Sequence, residues 1–164
     1  MMVSDLVALA VRRHDCVVAP PSGVPEVGFA LPQDLVEFWT LCGGMTFEDW
    51  IFPMTVVGPA RFIAADLIVL GELADDPRTR AWYAIAEASE SGGAERAVID
   101  LAPDQLGHCY NAFWDRYANP GYMEVVARSF TELLRRLLLW EPDEEDAGPY
   151  WMDDDFEAPG DAYD

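Results

Sequence analysis

Near its C-terminal end the chain reads PYWMDDDFEAPGDAYD, where carboxylates at Asp153, Asp154, Asp155, Glu157 and Asp161 alternate with Tyr150, Trp151, Phe156 and Tyr163. Asp153, Asp155 and Glu157 have the spacing of the first ligands of an EF-hand loop, and Asp164 stands at the twelfth place. That loop needs glycine at its sixth place to turn sharply, and here Ala158 is followed by Pro159. The pattern fails for calcium. The soft metal ligands are His14, Cys16, Cys42, His108 and Cys109, and none falls in a Cys-x-x-Cys or His-x-x-x-His spacing. His108 and Cys109, being adjacent in a strand, would point to opposite faces. No Gly-x-Ser-x-Gly, phosphate-cradling glycine loop or dinucleotide fingerprint occurs. A Cys–His dyad would need convergence of distant segments. These residues predict no metal, no cofactor and no catalytic centre.

The other chemistry available to carboxylates is recognition of positive charge. Thirty acidic residues face ten basic ones, all arginine, giving a net charge of −20 and a pI near 4.1. Such a surface repels phosphate backbones and anionic lipid, so neither nucleic acid nor membrane is an expected partner. A basic protein would be attracted and steered in. Candidate contact residues are Asp153, Asp154, Asp155, Glu157 and Trp151, together with Glu144, Glu145 and Asp146 of the acidic stretch EPDEEDAGP.

A folded body must carry that surface. The 51% hydrophobic and 12% aromatic content indicates a globular chain, and 164 residues suit one domain. The first apolar run is short, and its arginines follow it, the wrong order for a signal peptide. Three scattered cysteines form no disulfide framework, so they are read as reduced and mostly buried. A cytosolic, monomeric protein is expected.

Helical spacing of Val3, Leu6, Val7, Ala10 and Val11 predicts a helix over Val3 to Arg13. A second helix is read in LPQDLVEFWTLCGG, with Pro32 at its first position, an apolar face from Leu31 to Leu41, and Gly43 as the left-handed stop. Between them, residues 19–30 hold three prolines and two glycines and are read as loop. WIFPMTVV (residues 50–57) is strand-like, with Pro53 pointing to an edge or bulge. Residues 60–70 read as a short helix and DDPRTR as a loop. WYAIAEA and RAVIDL flank ESGGAE as a hairpin, and GHCYNAFWD pairs with YMEVVARSF through RYANPG. The last helix is SFTELLRRLLLW, with a capping box from Ser129 and Glu132. Trp39, Trp82 and Trp114 are assigned to the core, whereas Trp50, Trp140 and Trp151 lie near element ends and could anchor an interface. Strands joined by short turns, with helices segregated from them, define an α+β class with an antiparallel sheet.

In this order and spacing, LPQDLVEFWTLCGG, WYAIAEASESGGAERAVIDL, LGHCYNAFWD, SFTELLRRLL and the closing YWMDDDF–GDAYD resemble the SUKH superfamily, which includes the fungal Smi/Knr-type regulators. The resemblance runs from about residue 25 to the end and is similar to a bacterial branch. It implies an α+β domain without a catalytic centre. For bacterial members it implies immunity against polymorphic toxins, many of them nucleases; for fungal members, interaction scaffolds. One departure is Cys42, where the family commonly has Asn before Gly43-Gly44, which leaves the helix stop to Gly43.

Two readings follow: an acidic immunity protein for a basic, nuclease-type toxin, or a regulatory scaffold of the same fold. Residues 1–164 are expected to form one domain, 141–149 an acidic connector, and 150–164 a flap packed on the body, its aromatics inward and carboxylates in water.

Overall fold

Seven strands run antiparallel in chain order, each hydrogen-bonded to the next: β1 (Cys16–Val18), β2 (Met45–Phe47), β3 (Met54–Val56), β4 (Trp82–Ala88), β5 (Arg96–Asp100), β6 (Cys109–Asn111) and β7 (Val125–Ala127). The helices are α1 (Val3–Arg12), α2 (Gln33–Leu41), α3 (Ala65–Val69) and α4 (Phe130–Leu139). These elements come from a computed structural model that describes residues 1–48, 53–88, 95–141 and 148–164. Together they make a single-domain α+β fold. No helix among the described residues is long and apolar enough to cross a membrane.

The period-2 alternation of the strands separates two apolar clusters. Ala97, Ile99, Cys109 and Val126 face the layer formed by α1, α2 and α4. Val98, Tyr110 and Val125 face the other side, where Ala65 of α3, Trp82, Tyr117 and Met123 close over them. All five residues of β5 are buried. A strand covered on both faces carries a continuous apolar run, as RAVID does after its arginine. A bulge between Ala84 and Ala86 inserts one extra residue in β4. It lets Trp82 serve one cluster and Ile85 and Ala86 the other.

Several local readings are corrected by the packing. β1 and β2 have three residues each and pair through Val17 and Thr46, and neither was expected. Pro53 stands just before β3, which lies between β2 and β4, so it marks the strand's start and no edge. The DDPRTR stretch is in part a short 3-10 helix, Pro77–Ala81, whose Arg78 N–H is accepted by Asp76. Pro32 is the N-cap of α2, one residue outside the helix. Leu41 and Trp114 are exposed, at 42% and 61%, because α2 turns Leu41 outward and β6 ends at Asn111. Trp50 and the hairpin's Gly92-Gly93 turn lie outside the described residues.

Gly43 does not supply the left-handed residue after α2. Cys42 is extended at φ −154°, and Gly44 takes φ +107°. Gly43 serves close approach instead: a Cβ there would sit 2.3 Å from the Pro20 carbonyl oxygen, and one on Gly58 would sit 2.2 Å from that of Gly43. Its N–H donates to Ala19, whose own N–H donates to Gly44. The two glycines therefore do different work at one crossing of three chain segments.

Candidate functional site

The C-terminal segment is held by its aromatic residues. Tyr150 and Trp151 open a 3-10 turn, Tyr150–Met152, after Pro149, and both join the larger apolar cluster. The Tyr150 hydroxyl donates to the Val126 carbonyl at 2.5 Å. Its ring meets Trp151 edge-on at 5.2 Å and Phe156 at 5.5 Å. The Arg136 guanidinium, paired with Glu132 at 2.7 Å, lies 5.6 Å from the centre of Tyr150 and 5.9 Å from that of Phe156. Burial is what pushes the Tyr150 hydroxyl's pKa upward. Trp140, just past α4, donates its indole N–H to the Gly148 carbonyl at 3.2 Å.

Further along, the segment pairs with the outer edge of β7. Val125 N–H donates to Gly160 and Ala162 N–H to Met123, both at 2.9 Å, around an antiparallel bridge of Glu124 with Asp161. An otherwise open sheet edge is thereby covered. Tyr163 then rests 6.0 Å from Trp82, with Arg78 over its ring at 5.0 Å.

Between these two anchor regions the carboxylates face water. Asp154, Asp155 and Glu157 are exposed and Asp153 is half-buried. The Asp155 N–H donates to Asp153 Oδ1 at 2.8 Å, which turns the chain back. Among the described residues no ion pair reaches Asp153, Asp154, Asp155 or Glu157. Next to them is a concavity of about 300 Å³, lined by Trp140, Tyr150, Phe156, Asp153 and Asp155. Trp151, with 4% exposure, holds the segment down and presents no ring at this surface. Glu144, Glu145 and Asp146 lie outside the described residues. Sequence spacing named the acids; it did not show that Trp140 meets the segment.

Other carboxylates are used internally. Asp66, 2% exposed, accepts from the Tyr117 hydroxyl at 2.6 Å, Arg80 at 2.7 Å, the Thr79 hydroxyl at 2.9 Å and Ala74 N–H at 3.1 Å. Asp100 accepts from Tyr110, Ala102 N–H and Trp82 at 2.7, 2.9 and 3.1 Å. Burial still raises the Asp100 carboxyl above its ordinary value, against the pull of those donors. Their donors all come from the protein, which marks both as structural groups.

Neither buried thiol is prepared for catalysis. Burial raises Cys109 well above its ordinary value and raises Cys42 as well, so neither is held as thiolate. Among the described residues no three His, Cys, Asp or Glu side chains converge as a metal site would require. Two further hollows, of about 240 Å³ beside Trp82, Asp104 and Tyr163 and about 200 Å³ beside Glu95, Asn111 and Arg116, bring together no nucleophile and base.

An antiparallel meander with a helical layer on one face and an acidic, aromatic-anchored segment on its last edge defines an α+β domain. Residues 26–136 match the SMI1/KNR4 family (SUKH-1), and the chain belongs to that family. The full chain is also 35% identical, over 169 aligned residues, to the immunity protein YokJ of Bacillus subtilis (strain 168), covering 100% of this chain and 97% of that one. No solved structure matches the chain.

Proposed function

We propose that this protein is a non-enzymatic immunity protein that binds a cognate toxin and neutralises it. The observation that carries the reading is the end-to-end 35% identity to an immunity protein, which includes the acidic C-terminal segment as well as the family core. Charge supports it further. A net charge of −20, with Asp153, Asp154, Asp155 and Glu157 in no ion pair among the described residues, favours a basic partner. A nuclease toxin must offer a basic groove to its substrate, and an acidic protein competes for that groove. The action belongs to the cytosol, with the free protein monomeric.

Under this reading the contact surface is the stretch Asp153–Glu157, steered onto the toxin by opposing fields. The test is co-expression of this chain with a toxin encoded beside its gene. Rescue of growth, with recovery of a stable complex from the cells, is expected. Full toxicity in the presence of soluble, folded protein would refute the immunity role and leave the regulatory-scaffold alternative.

A further inference from the structure

We infer that the concavity bounded by Trp140, Tyr150, Phe156, Asp153 and Asp155 receives a single arginine side chain of the partner; this rests on the immunity reading above. Its volume, about 300 Å³, suits a guanidinium with its adjoining methylenes. Three aromatic walls offer apolar contact for the methylenes and ring surface for the planar cation. Asp153 and Asp155 stand at the same hollow with no ion pair from any described residue.

These rings already carry one guanidinium of the chain. Arg136 already lies against both Tyr150 and Phe156, and it does not line the hollow. Arg136 is held by Glu132 and by the Val126 carbonyl at 3.3 Å, so the hollow is left for a second guanidinium. Arginine suits the site better than lysine for two reasons. Its flat, weakly hydrated head stacks on rings, and its fork matches a carboxylate. Among the described residues a hard cation would find two carboxylates beside aromatic walls and no further oxygen cage.

The probe is Nα-acetyl-arginine amide, titrated into the full-length protein at low salt and followed by NMR at the Trp140 indole N–H and the Phe156 amide. Saturating shifts confined to this hollow are expected, about threefold to fivefold tighter than with the lysine analogue. Asp153→Asn with Asp155→Asn should weaken binding by about fivefold or more. Phe156→Leu keeps apolar bulk, removes the ring, and should weaken it too, which covers the case of either variant failing to fold. Shifts that grow linearly and spread over the whole acidic surface would overturn the site, as would lysine binding as tightly as arginine. Toxin rescue separates the two levels. A chain that rescues without saturating arginine binding sinks the pocket alone. One that binds arginine here but neither rescues nor holds the toxin sinks the immunity reading and, with it, the pocket's role.

Discussion

Asp66 and Asp153 carry the same side chain and meet opposite conditions. Asp66 lies under the sheet, with four donors of the protein on its carboxylate. Asp153 lies half-buried at the surface, and among the described residues the donor to its carboxylate is the N–H two residues on. Burying a carboxylate is unfavourable unless it is fully hydrogen-bonded, so the internal acids must be matched by nearby donors. An exposed acid has no such need, and its field stays available to a partner. Asp34 stands between the extremes. It accepts from Leu35 N–H at the start of α2, and from both the N–H and hydroxyl of Thr131 at the start of α4. A chain of net charge −20 therefore divides its carboxylates between holding the fold and facing outward.

This gradient is open to direct attack, beginning with its buried end. Asp66→Ala takes the acceptor from the Tyr117 hydroxyl and the Ala74 N–H, while the Thr79 hydroxyl keeps the Asp76 carbonyl at 2.9 Å, and should destabilise by about 3 kcal/mol, somewhat less than a fully buried pair because Arg80 is 40% exposed. Urea unfolding measures this, and a change under about 1 kcal/mol would show that solvent reaches the site. Asp34→Ala should lose about 2 kcal/mol, since two helix starts share its carboxylate.

Ser129→Ala tests one of those starts separately. The Ser129 hydroxyl accepts from Glu132 N–H at 3.1 Å, while Glu132 accepts from Arg128 N–H, one residue before the cap the spacing had assigned to it. A loss of about 0.5–2 kcal/mol is expected, and a circular-dichroism melt unchanged from wild type would remove the cap from the account.

Acidity gives a smaller effect with a definite sign. The folded state holds the Asp100 proton more tightly than the unfolded chain, because burial raises that carboxyl, and Glu95 is raised the same way. Their contribution to stability therefore falls as pH rises from the ordinary carboxylate range through the raised values, and is flat above them. Asp15 runs oppositely: its hydrogen bond from Arg13 lowers it, and its contribution is lost only at pH below the ordinary range. The urea midpoint should rise as pH falls through the raised values toward the ordinary carboxylate range. Asp100→Asn should flatten that rise; a midpoint falling steadily over the same interval would contradict it.

Smallest for the fold is the triple change of Asp153, Asp154 and Asp155 to Asn. Unfolding should shift by no more than about 0.5 kcal/mol, while association with the toxin slows and loses salt dependence. Equal association rates at low salt would take this patch out of the interface.

Much of the fold was legible in periodicity. α1, α2 and α4 follow from apolar residues at helical spacing, and the β4–β5 pair from two apolar runs on either side of a turn signal. The three-residue strands β1 and β2 were not legible, since period 2 needs more residues to show and Cys16–Val18 reads equally as loop. Trp114 was misplaced because an apolar run does not announce where its strand stops.

Charge sign, net field and the local periods belong to the sequence, because each depends on residue type and near-neighbour spacing alone. Which carboxylates became structural did not, since their donors include residues far along the chain. Thr131 reaches Asp34 across 97 positions and Tyr117 reaches Asp66 across 51. The aromatic hollow has the same origin: Trp140 at the end of α4 and Phe156 beyond the 3-10 turn border one cavity only because Tyr150 is pinned to β7. Burial is a property of the packed chain as a whole, so identical aspartates part company only after the sheet has closed.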